Sequence, residues 1–386
     1  MNDRLPAVFV STSSIVWGAE LSLLTTARHL ADQGVEVGLL GQAPDLVDSW
    51  PGAAKRLATG TQFYLRLFEV AFRDRPQALV CCNNRLSMVF VPLRIVPRRW
   101  RPALVFDLHD YMPAPRGRRR MKWSTWFFDR VIAVSEFTTT QLHPDYTSVT
   151  VLPRPVELDP AAAGSATTID LTADRPQVDR VGVVGRLDAD KRIEVVVDAV
   201  ATMPDVTLVL RGGSGLDETY TERLLEHAHA VLGERLVYEG RVPRDSAMQG
   251  LSCLVVANHE EALGRSVAEA QLAGVPVVVP DRGGASEMVD EGVTGRRFEA
   301  GSAQDLAGVL REVLDQESEV ATMAKHAQDI AAERHSPREI AGRYLRAATS
   351  GSSSRPVRAT FSVLADRLRN RGELAAGADA DQRRFA

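Results

Sequence analysis

The sequence predicts an α/β protein with two domains, each a parallel sheet with helices on both faces. Short apolar runs alternate with longer helical patterns along most of the chain, which is typical of β-α units around parallel sheets. The 386 residues are enough for two domains that each bury a core. A composition of 45% hydrophobic and 25% charged residues indicates a globular protein.

Composition and charge exclude several classes of function. A net charge of -4 and a pI near 6.1 provide no overall positive charge for a nucleic-acid backbone, so no nucleic-acid partner is predicted. Cys81, Cys82 and Cys253 lack the spacing of a metal site or a disulfide framework, which favours a reducing compartment. Neither a secretory-signal layout nor an apolar run of 18 residues is found, and the prediction is a cytoplasmic protein.

The first domain is predicted over residues 1–155. Its first strand, Ala7 to Thr12, leads into a turn at Gly18 that opens a helix reaching about Leu30. Further strands are predicted at Val35 to Leu40, Ala78 to Cys82, Ala103 to Leu108, Val131 to Val134 and Val149 to Leu152.

A segment rich in Ala, Gly, Ser, Thr and Asp predicts a linker at 156–178, and the second domain then covers 179–336. A helix at 337–349 is predicted to cross back to the first domain, before a flexible tail at 350–386 with one short helix from Thr360 to Asn370. Strands of the second domain are predicted at Val181 to Val184, Val206 to Leu210, Leu236 to Tyr238, Leu251 to Val256 and Val275 to Val279.

The stretch 258–280 contains two glutamates eight positions apart. The pattern places Glu261 at the end of a strand, Gly264 in a turn and Glu269 in the first turns of a helix. Ligands of doubly wound domains bind at the carboxyl ends of the strands, so this turn is a candidate site. Two solvated glutamates are the alternative for an arbitrary pair at this spacing.

The start of this helix has the chemistry of an anion site. The free N–H groups of about Arg265 and Ser266 are predicted to face a phosphate, with the helix dipole adding to the attraction. Glu269 is placed to accept hydrogen bonds from ribose hydroxyls, and Glu261 from a sugar hydroxyl.

Five motifs in fixed order carry a family resemblance. They are G-R-L-D-A-D-K at 185–191, L-R-G-G-S-G at 210–215, E-x7-E at 261–269 with A-G-V-P-V-V after it, G-G-A-S-E at 283–287 and G-V-T-G at 292–295. The second domain thereby resembles family 4 of retaining glycosyltransferases, which has the GT-B fold. This resemblance implies two Rossmann-like domains that face each other across a cleft.

The resemblance also implies roles for single residues. Arg186 and Lys191 correspond to the two cations that hold the donor diphosphate and stabilise it as it leaves. Asp188 and Asp190 form a D-x-D sequence in the same loop, but we interpret it as polar loop residues and predict no metal. The catalytic set is thus His109, Arg186, Lys191 and Glu261. The donor-binding set is Gly18, Gly213, Val242, Leu263, Gly264, Arg265, Ser266 and Glu269.

The first domain carries weaker motifs. Trp17-Gly18-Ala19-Glu20 is similar to the G-G-x-E loop of the family, with Trp17 in the place of the first glycine. His109 follows a strand and matches the family's histidine, whose neutral imidazole would bond a hydroxyl of the transferring sugar. Arg154 and Pro155 stand where relatives carry Asn and Gly.

Residues 94–128 combine basic and aromatic side chains. Two interpretations are open: a peripheral contact with an anionic membrane or acceptor, or a solvated loop that leads into a buried helix. Its basic residues are Arg94, Arg98, Arg99, Arg101, Arg116, Arg118, Arg119, Arg120 and Lys122, and its last aromatics are Trp123, Trp126, Phe127 and Phe128.

These features together predict a metal-independent hexosyltransferase that retains the anomeric configuration. Its substrate would be a nucleotide diphosphate sugar, UDP-linked by preference, with the base near 241–243 and no further cofactor. The acceptor is left open: it would be a glycan, a lipid-linked glycan or a small molecule, and polysaccharide biosynthesis is one pathway that fits. The location is also left open between the cytoplasm and the inner face of the membrane. Two alternatives remain: a non-catalytic GT-B protein that binds nucleotide sugars, and a non-hydrolysing sugar-nucleotide epimerase.

Overall fold

The computed structural model describes residues 4–52, 55–158, 178–215 and 217–350. Two parallel sheets, one of seven strands and one of six, form the cores of two domains. Most of the predicted linker and the predicted tail beyond residue 350, with its short helix, lie outside the described residues. No helix in the described ranges is long and apolar enough to span a membrane.

The N-terminal sheet has the strand order β3-β2-β1-β4-β5-β6-β7, with neighbouring strands parallel. Its strands are β1 Ala7–Ser11, β2 Gly38–Gly41, β3 Lys55–Leu57, β4 Ala78–Cys81, β5 Ala103–Leu108, β6 Arg130–Ala133 and β7 Val149–Val151. The helices of this domain are α1 Gly18–Asp32, α2 Pro44–Ser49, α3 Gly60–Glu69, α4 Val91–Ile95, α5 Pro115–Ser124 and α6 Glu136–Thr139.

Central strands of this sheet are buried on both faces, which explains their nearly continuous apolar sequence. Alternate residues of one strand point to opposite faces. Phe9 of β1 accordingly packs in one core and Val10 in the other. The one charged residue of β5, Asp107, is fully buried and therefore requires a partner.

The C-terminal sheet has the order β10-β9-β8-β11-β12-β13, again with parallel neighbours. Its strands are β8 Asp179–Val184, β9 Val206–Arg211, β10 Leu236–Gly240, β11 Cys253–Val255, β12 Val277–Pro280 and β13 Arg296–Phe298. The remaining helices are α7 Ile193–Ala201, α8 Glu218–Leu232, α9 Arg265–Leu272, α10 Ala303–Asp315, α11 Glu317–Arg334 and α12 Pro337–Thr349.

Helix α12 follows the second domain in sequence but packs on the first. Ile340 and Tyr344 share a core cluster with Phe9, whose ring centroid lies 5.7 Å from that of Tyr344. The chain therefore passes between the domains twice, and the two passages are bonded. His335 Nδ1 donates to the carbonyl oxygen of Arg154 at 2.9 Å, and Val156 N donates to that of His335 at 3.2 Å.

Two edge strands, β3 and β13, have no counterpart in the sequence prediction. Each has three residues, two of them basic, so neither presents the apolar run that marks a buried strand. The predicted strand Leu251 to Val256 is shorter in the structure, where β11 ends at Val255. Glu261 lies six residues beyond the end of this strand, in the loop that leads to α9.

Candidate active site

A cavity of about 570 Å³ lies between the carboxyl edges of the two sheets. Such a volume is in the range of small-molecule sites. Gly213 and Val242 do not line it; the carbonyl of Gly213 accepts from Leu187 N at 3.0 Å and so supports the turn that carries Arg186. The predicted site residues that do line the cavity are Gly18, His109, Arg186, Lys191, Glu261, Leu263, Gly264, Arg265, Ser266 and Glu269.

Arg186 and Lys191 enter the cavity from the loop after β8, and each is paired with a carboxylate. Arg186 bonds Asp188, and its guanidinium lies 5.0 Å from the centroid of the Trp17 ring. Lys191 Nζ donates to Glu261 Oε2 at 2.6 Å. Burial lowers the pKa of Lys191, but the Glu261 carboxylate outweighs burial and the net pKa is raised. Lys191 is therefore charged at neutral pH.

Glu261 lies in the loop between β11 and α9, so the prediction that it ends a strand is wrong. Its backbone carbonyl accepts from Gly284 N at 2.7 Å, and its Oε2 accepts from Asn258 Nδ2 at 3.2 Å. Gly284 belongs to the G-G-A-S-E motif. That motif therefore holds the loop in place.

Helix α9 begins beside the cavity without a side-chain cap. Its N-cap is Gly264, with a φ of +87°, a left-handed conformation that favours glycine. Glycine offers no side-chain acceptor for the first N–H groups of the helix. Arg265 and Ser266 are the first two residues of the helix and line the cavity; that their N–H groups bind a phosphate stays a prediction.

Glu269 is buried one turn into α9 and has two cationic partners. Its Oε1 accepts from Arg244 Nε at 2.9 Å and from Arg265 Nε at 3.0 Å. Neither arginine pairing was part of the sequence prediction. The E-x7-E spacing gives the position of the carboxylate but does not identify its partners.

His109 follows β5 directly, and its side chain is 7% exposed. Its Nε2 lies 3.5 Å from Asp110 Oδ2, and its Nδ1 lies 3.8 Å from Asp107 Oδ2. Burial lowers the pKa of His109, but the nearby carboxylates of Asp110 and Asp107 outweigh it and raise the pKa to about 8. The predicted neutral imidazole is therefore corrected to an imidazolium at pH 7.

Asp107 and Arg154 form a buried ion pair that the sequence analysis missed. Burial raises the pKa of Asp107, but Arg154 and His109 together outweigh burial and the pKa is lowered. Two signals were available: a carboxylate inside an apolar strand, and an arginine in place of the asparagine found in relatives. The pairing itself joins residues 47 positions apart.

The basic segment 94–128 is partly structural. Arg101 binds buried Asp129 through two bonds, one of them 3.0 Å from Nη2 to Oδ1, and Arg94 and Arg98 lie within 4.0 Å of the same carboxylate. Phe127 and Phe128 are buried. These residues are not available to a membrane. The exposed basic side chains of α5 are Arg116, Arg119 and Arg120.

Within the described ranges, no group of three or more His, Cys, Asp or Glu residues is arranged to hold a metal ion. Besides the paired side chains described above, Glu20 lines the cavity, and its Oε2 accepts from Trp17 N at 3.1 Å.

Two Rossmann-like domains, each built on a parallel sheet and facing each other across a cleft, match the GT-B class of glycosyltransferase folds. Two family models match the chain: Glycosyltransferase Family 4 over residues 16–160, and Glycosyl transferases group 1 over residues 174–330. Together they cover more than three quarters of the sequence. The chain belongs to glycosyltransferase family 4.

Curated relatives match part of the chain. A D-inositol 3-phosphate glycosyltransferase of Mycolicibacterium gilvum is 31% identical over 200 residues, 48% of this chain and 44% of that protein. A 2-deoxystreptamine glucosyltransferase of Streptomyces kanamyceticus is 32% identical over 141 residues, 35% of this chain and 36% of that protein. The matched segments thus span less than half the length of either relative.

Solved structures share the fold over nearly the whole described chain. Anabaena HepE, in complex with UDP and glucose, has a TM-score of 0.74 at 22% identity and covers 89% of this chain and 99% of its own. Sucrose-phosphate synthase from Thermosynechococcus elongatus has a TM-score of 0.70 at 17% identity. The match covers 88% of this chain and 97% of the synthase chain. At these identities the likeness shows the fold alone.

Proposed function

We propose that this protein is a retaining glycosyltransferase that moves a hexose from a nucleotide diphosphate sugar to an acceptor hydroxyl. One observation carries the proposal: a single cavity between the domains brings Arg186, Lys191, Glu261 and Glu269 of one domain together with His109 of the other. Each of these side chains supplies the chemistry that one part of such a donor requires.

The donor would lie along the C-terminal side of the cavity. Its diphosphate replaces Asp188 and Glu261 as the partner of Arg186 and Lys191, and the uncapped start of α9 adds backbone donors. Glu269 accepts from the ribose hydroxyls. Glu261, released from Lys191, is then free to accept from the sugar.

UDP-glucose is the first donor to test. The structural neighbour HepE is described in complex with UDP and glucose and with UDP-glucose, which supports this order. The position of the base is not assigned, because Val242, predicted near it, does not line the cavity.

The chemistry we propose occurs on one face of the sugar. The bond from the anomeric carbon to the diphosphate oxygen breaks, the bond to the acceptor oxygen forms on the same side, and the acceptor proton passes to the departing phosphate. Arg186 and Lys191 stabilise the negative charge that develops there, in the place that a metal ion takes in other glycosyltransferases. His109, as an imidazolium, donates to a hydroxyl or oxygen of the transferring sugar.

The acceptor is proposed to be a small polyol. The names of the two curated relatives specify D-inositol 3-phosphate and 2-deoxystreptamine, so these two compounds come first in a screen. A lipid-linked acceptor is the second candidate, since exposed Arg116, Arg119 and Arg120 leave α5 with a basic surface.

The test is transfer from UDP-glucose to each acceptor, with release of UDP quantified and the anomeric configuration of the product read by proton NMR. An α-linked product requires the acceptor and is lost in the Arg186→Ala, Lys191→Ala double variant. A β-linked product would overturn retention. An altered free sugar without acceptor would identify an epimerase, and UDP binding without turnover across nucleotide sugars would favour the non-catalytic alternative.

A further inference from the structure

Arg265 joins the two domains through its side chain. From the first residue of α9, its Nη1 donates to Ser22 Oγ in α1 at 2.7 Å and to the carbonyl of Pro155 at 3.3 Å. Its Nε donates to Glu269 Oε1 at 3.0 Å. One guanidinium thus contacts the proposed ribose ligand, the opposite domain and the segment that connects the domains.

The contact with Ser22 continues to Gly18. Ser22 Oγ lies 2.9 Å from the carbonyl oxygen of Gly18. A guanidinium only donates and a carbonyl only accepts, so the hydroxyl must accept from Arg265 and donate to Gly18. An ordered series of hydrogen bonds therefore runs from Glu269, through Arg265 and Ser22, to Gly18.

Burial makes this series sensitive to geometry. Ser22 is 2% exposed, Glu269 is 9% exposed, and the Arg265 side chain is 16% exposed. Hydrogen bonds of charged groups are stronger in such surroundings, and a donor left without a partner there is costly. The two ends of the series lie on the two walls of the cavity.

We propose that Arg265 is a positioning residue that couples binding of the donor's ribose at Glu269 to placement of the Gly18 turn across the cleft. A ribose bonded to Glu269 fixes the carboxylate that orients Arg265. Arg265 in turn holds the start of α1, and with it Gly18, against the far side of the bound donor. This inference rests on the proposed function, because it requires a nucleotide sugar at Glu269.

Arg244 provides a matched control within the same site. Its Nε donates to the same Glu269 oxygen at 2.9 Å, but its Nη2 donates to the carbonyl of Glu157 at 3.0 Å rather than to α1. Loss of Arg244 removes one guanidinium from Glu269 and leaves the path from Arg265 to Gly18 intact.

The experiment measures the distance between the domains on the full chain. The three cysteines are buried, so fluorophores can be attached to Leu65→Cys, 67% exposed in the first domain, and Val231→Cys, 40% exposed in the second. Energy transfer is recorded with and without UDP for the parent, Arg265→Ala, Ser22→Ala and Arg244→Ala. UDP affinity is measured in parallel by calorimetry.

We expect UDP to change energy transfer in the parent and in Arg244→Ala, but not in Arg265→Ala or Ser22→Ala. Both of the latter should still bind UDP within about fivefold of the parent, while kcat for transfer falls at least tenfold with a smaller change in KM for the donor. Ser22→Ala, which removes only a hydroxyl, keeps the test valid if Arg265→Ala folds poorly.

Two outcomes would overturn the coupling. One is a UDP response in Arg265→Ala and Ser22→Ala equal to that of the parent; the other is an equal loss in Arg244→Ala and Arg265→Ala. Failure of the proposed function is distinguishable from failure of the coupling, because the parent itself would then bind no UDP, or would bind UDP and transfer no sugar.

Discussion

Lys191 Nζ lies 2.6 Å from Glu261 Oε2, so the cation assigned to the diphosphate is bonded to the carboxylate assigned to the sugar. Arg186 is likewise bonded to Asp188. Neither cation stands as an unpaired charge in the cavity. Under the proposed function, donor binding is therefore an exchange of ion-pair partners, and the existing pairs keep both side chains oriented before the donor arrives.

The first prediction concerns binding of the diphosphate. A ligand at 100 times its dissociation constant adds about 2.7 kcal/mol to the free energy of unfolding. We expect UDP at that excess to raise the melting temperature of the parent, and to have little effect on Arg186→Ala or Lys191→Ala. Differential scanning fluorimetry measures this. Lys325→Ala, on an exposed side chain of α11 bonded to Asp329, should respond like the parent. An undiminished response in both cleft variants would place the diphosphate elsewhere.

The second prediction concerns Trp17, which stands where relatives carry glycine. Its ring faces the Arg186 guanidinium, and such contacts contribute about 0.5–1 kcal/mol at exposed sites. Trp17→Ala should weaken UDP binding roughly threefold to fivefold by calorimetry. Trp17→Phe preserves an aromatic face and should lose less. If Trp17→Ala binds UDP more tightly than the parent, the indole obstructs the diphosphate site instead of holding Arg186.

The third prediction is a loss of stability on the alkaline side. The pKa of His109 in the folded chain, about 8, lies above the value of 6.5 usual for histidine. His109 therefore contributes about 2 kcal/mol to the free energy of unfolding. This contribution is fully present below pH 6.5 and is lost as the pH rises through 8. Urea unfolding at pH 6, 7, 8 and 9 should show this decline in the parent and a flatter profile in His109→Asn. The exposed His326→Asn variant should follow the parent.

The fourth prediction is a loss of stability on the acid side. Burial lowers the pKa of His335 to about 4, and its Nδ1 donates to the carbonyl of Arg154. Between pH 6.5 and 4 the unfolded chain binds a proton that the folded chain does not, so stability falls by up to about 1.4 kcal/mol per pH unit. Urea unfolding is measured over the same pH values and extended to pH 4.5. The free energy of unfolding should fall less steeply with decreasing pH for His335→Gln than for the parent. Parallel slopes would contradict the buried neutral imidazole.

The fifth prediction concerns the buried pair of Asp107 and Arg154. Without Arg154, Asp107 loses its hydrogen-bonded ion-pair partner, which His109 Nδ1 at 3.8 Å does not replace, and breaking a buried pair in this way costs about 3–5 kcal/mol. Arg154→Met should therefore lower the free energy of unfolding by about that amount. The double variant Asp107→Asn, Arg154→Met, which removes both charges, should regain most of the loss. A double-mutant cycle from urea unfolding separates the effect of each single substitution from the interaction energy of the pair. A loss of less than about 1 kcal/mol in the free energy of unfolding of Arg154→Met would contradict a buried ion pair.

The sequence by itself determined the α/β class, the two domains' β-α units and ten of the residues that line the cavity. Strand β5 and helix α12 have the predicted bounds, because a run that is apolar except for Asp107 and a Pro-initiated amphipathic pattern are local signals. The E-x7-E spacing likewise brings both glutamates to one site, since few residues separate them along a loop and one turn of helix. The edge strands β3 and β13 were missed because two of their three residues are basic.

Only the tertiary structure decided the partners of the charged groups. The bonds of Arg154 to Asp107 and of Arg265 to Ser22 join residues 47 and 243 positions apart, and no local pattern encodes them. Nor does a local pattern encode the protonation of His109. Burial lowers the pKa of His109, and the carboxylates of Asp110 and Asp107 raise it by more. Apolar periodicity specifies which faces are buried because burial depends on the residue's own side chain. Ion pairing depends on which side chains the fold brings within a few ångströms, and that distance is a property of the folded chain.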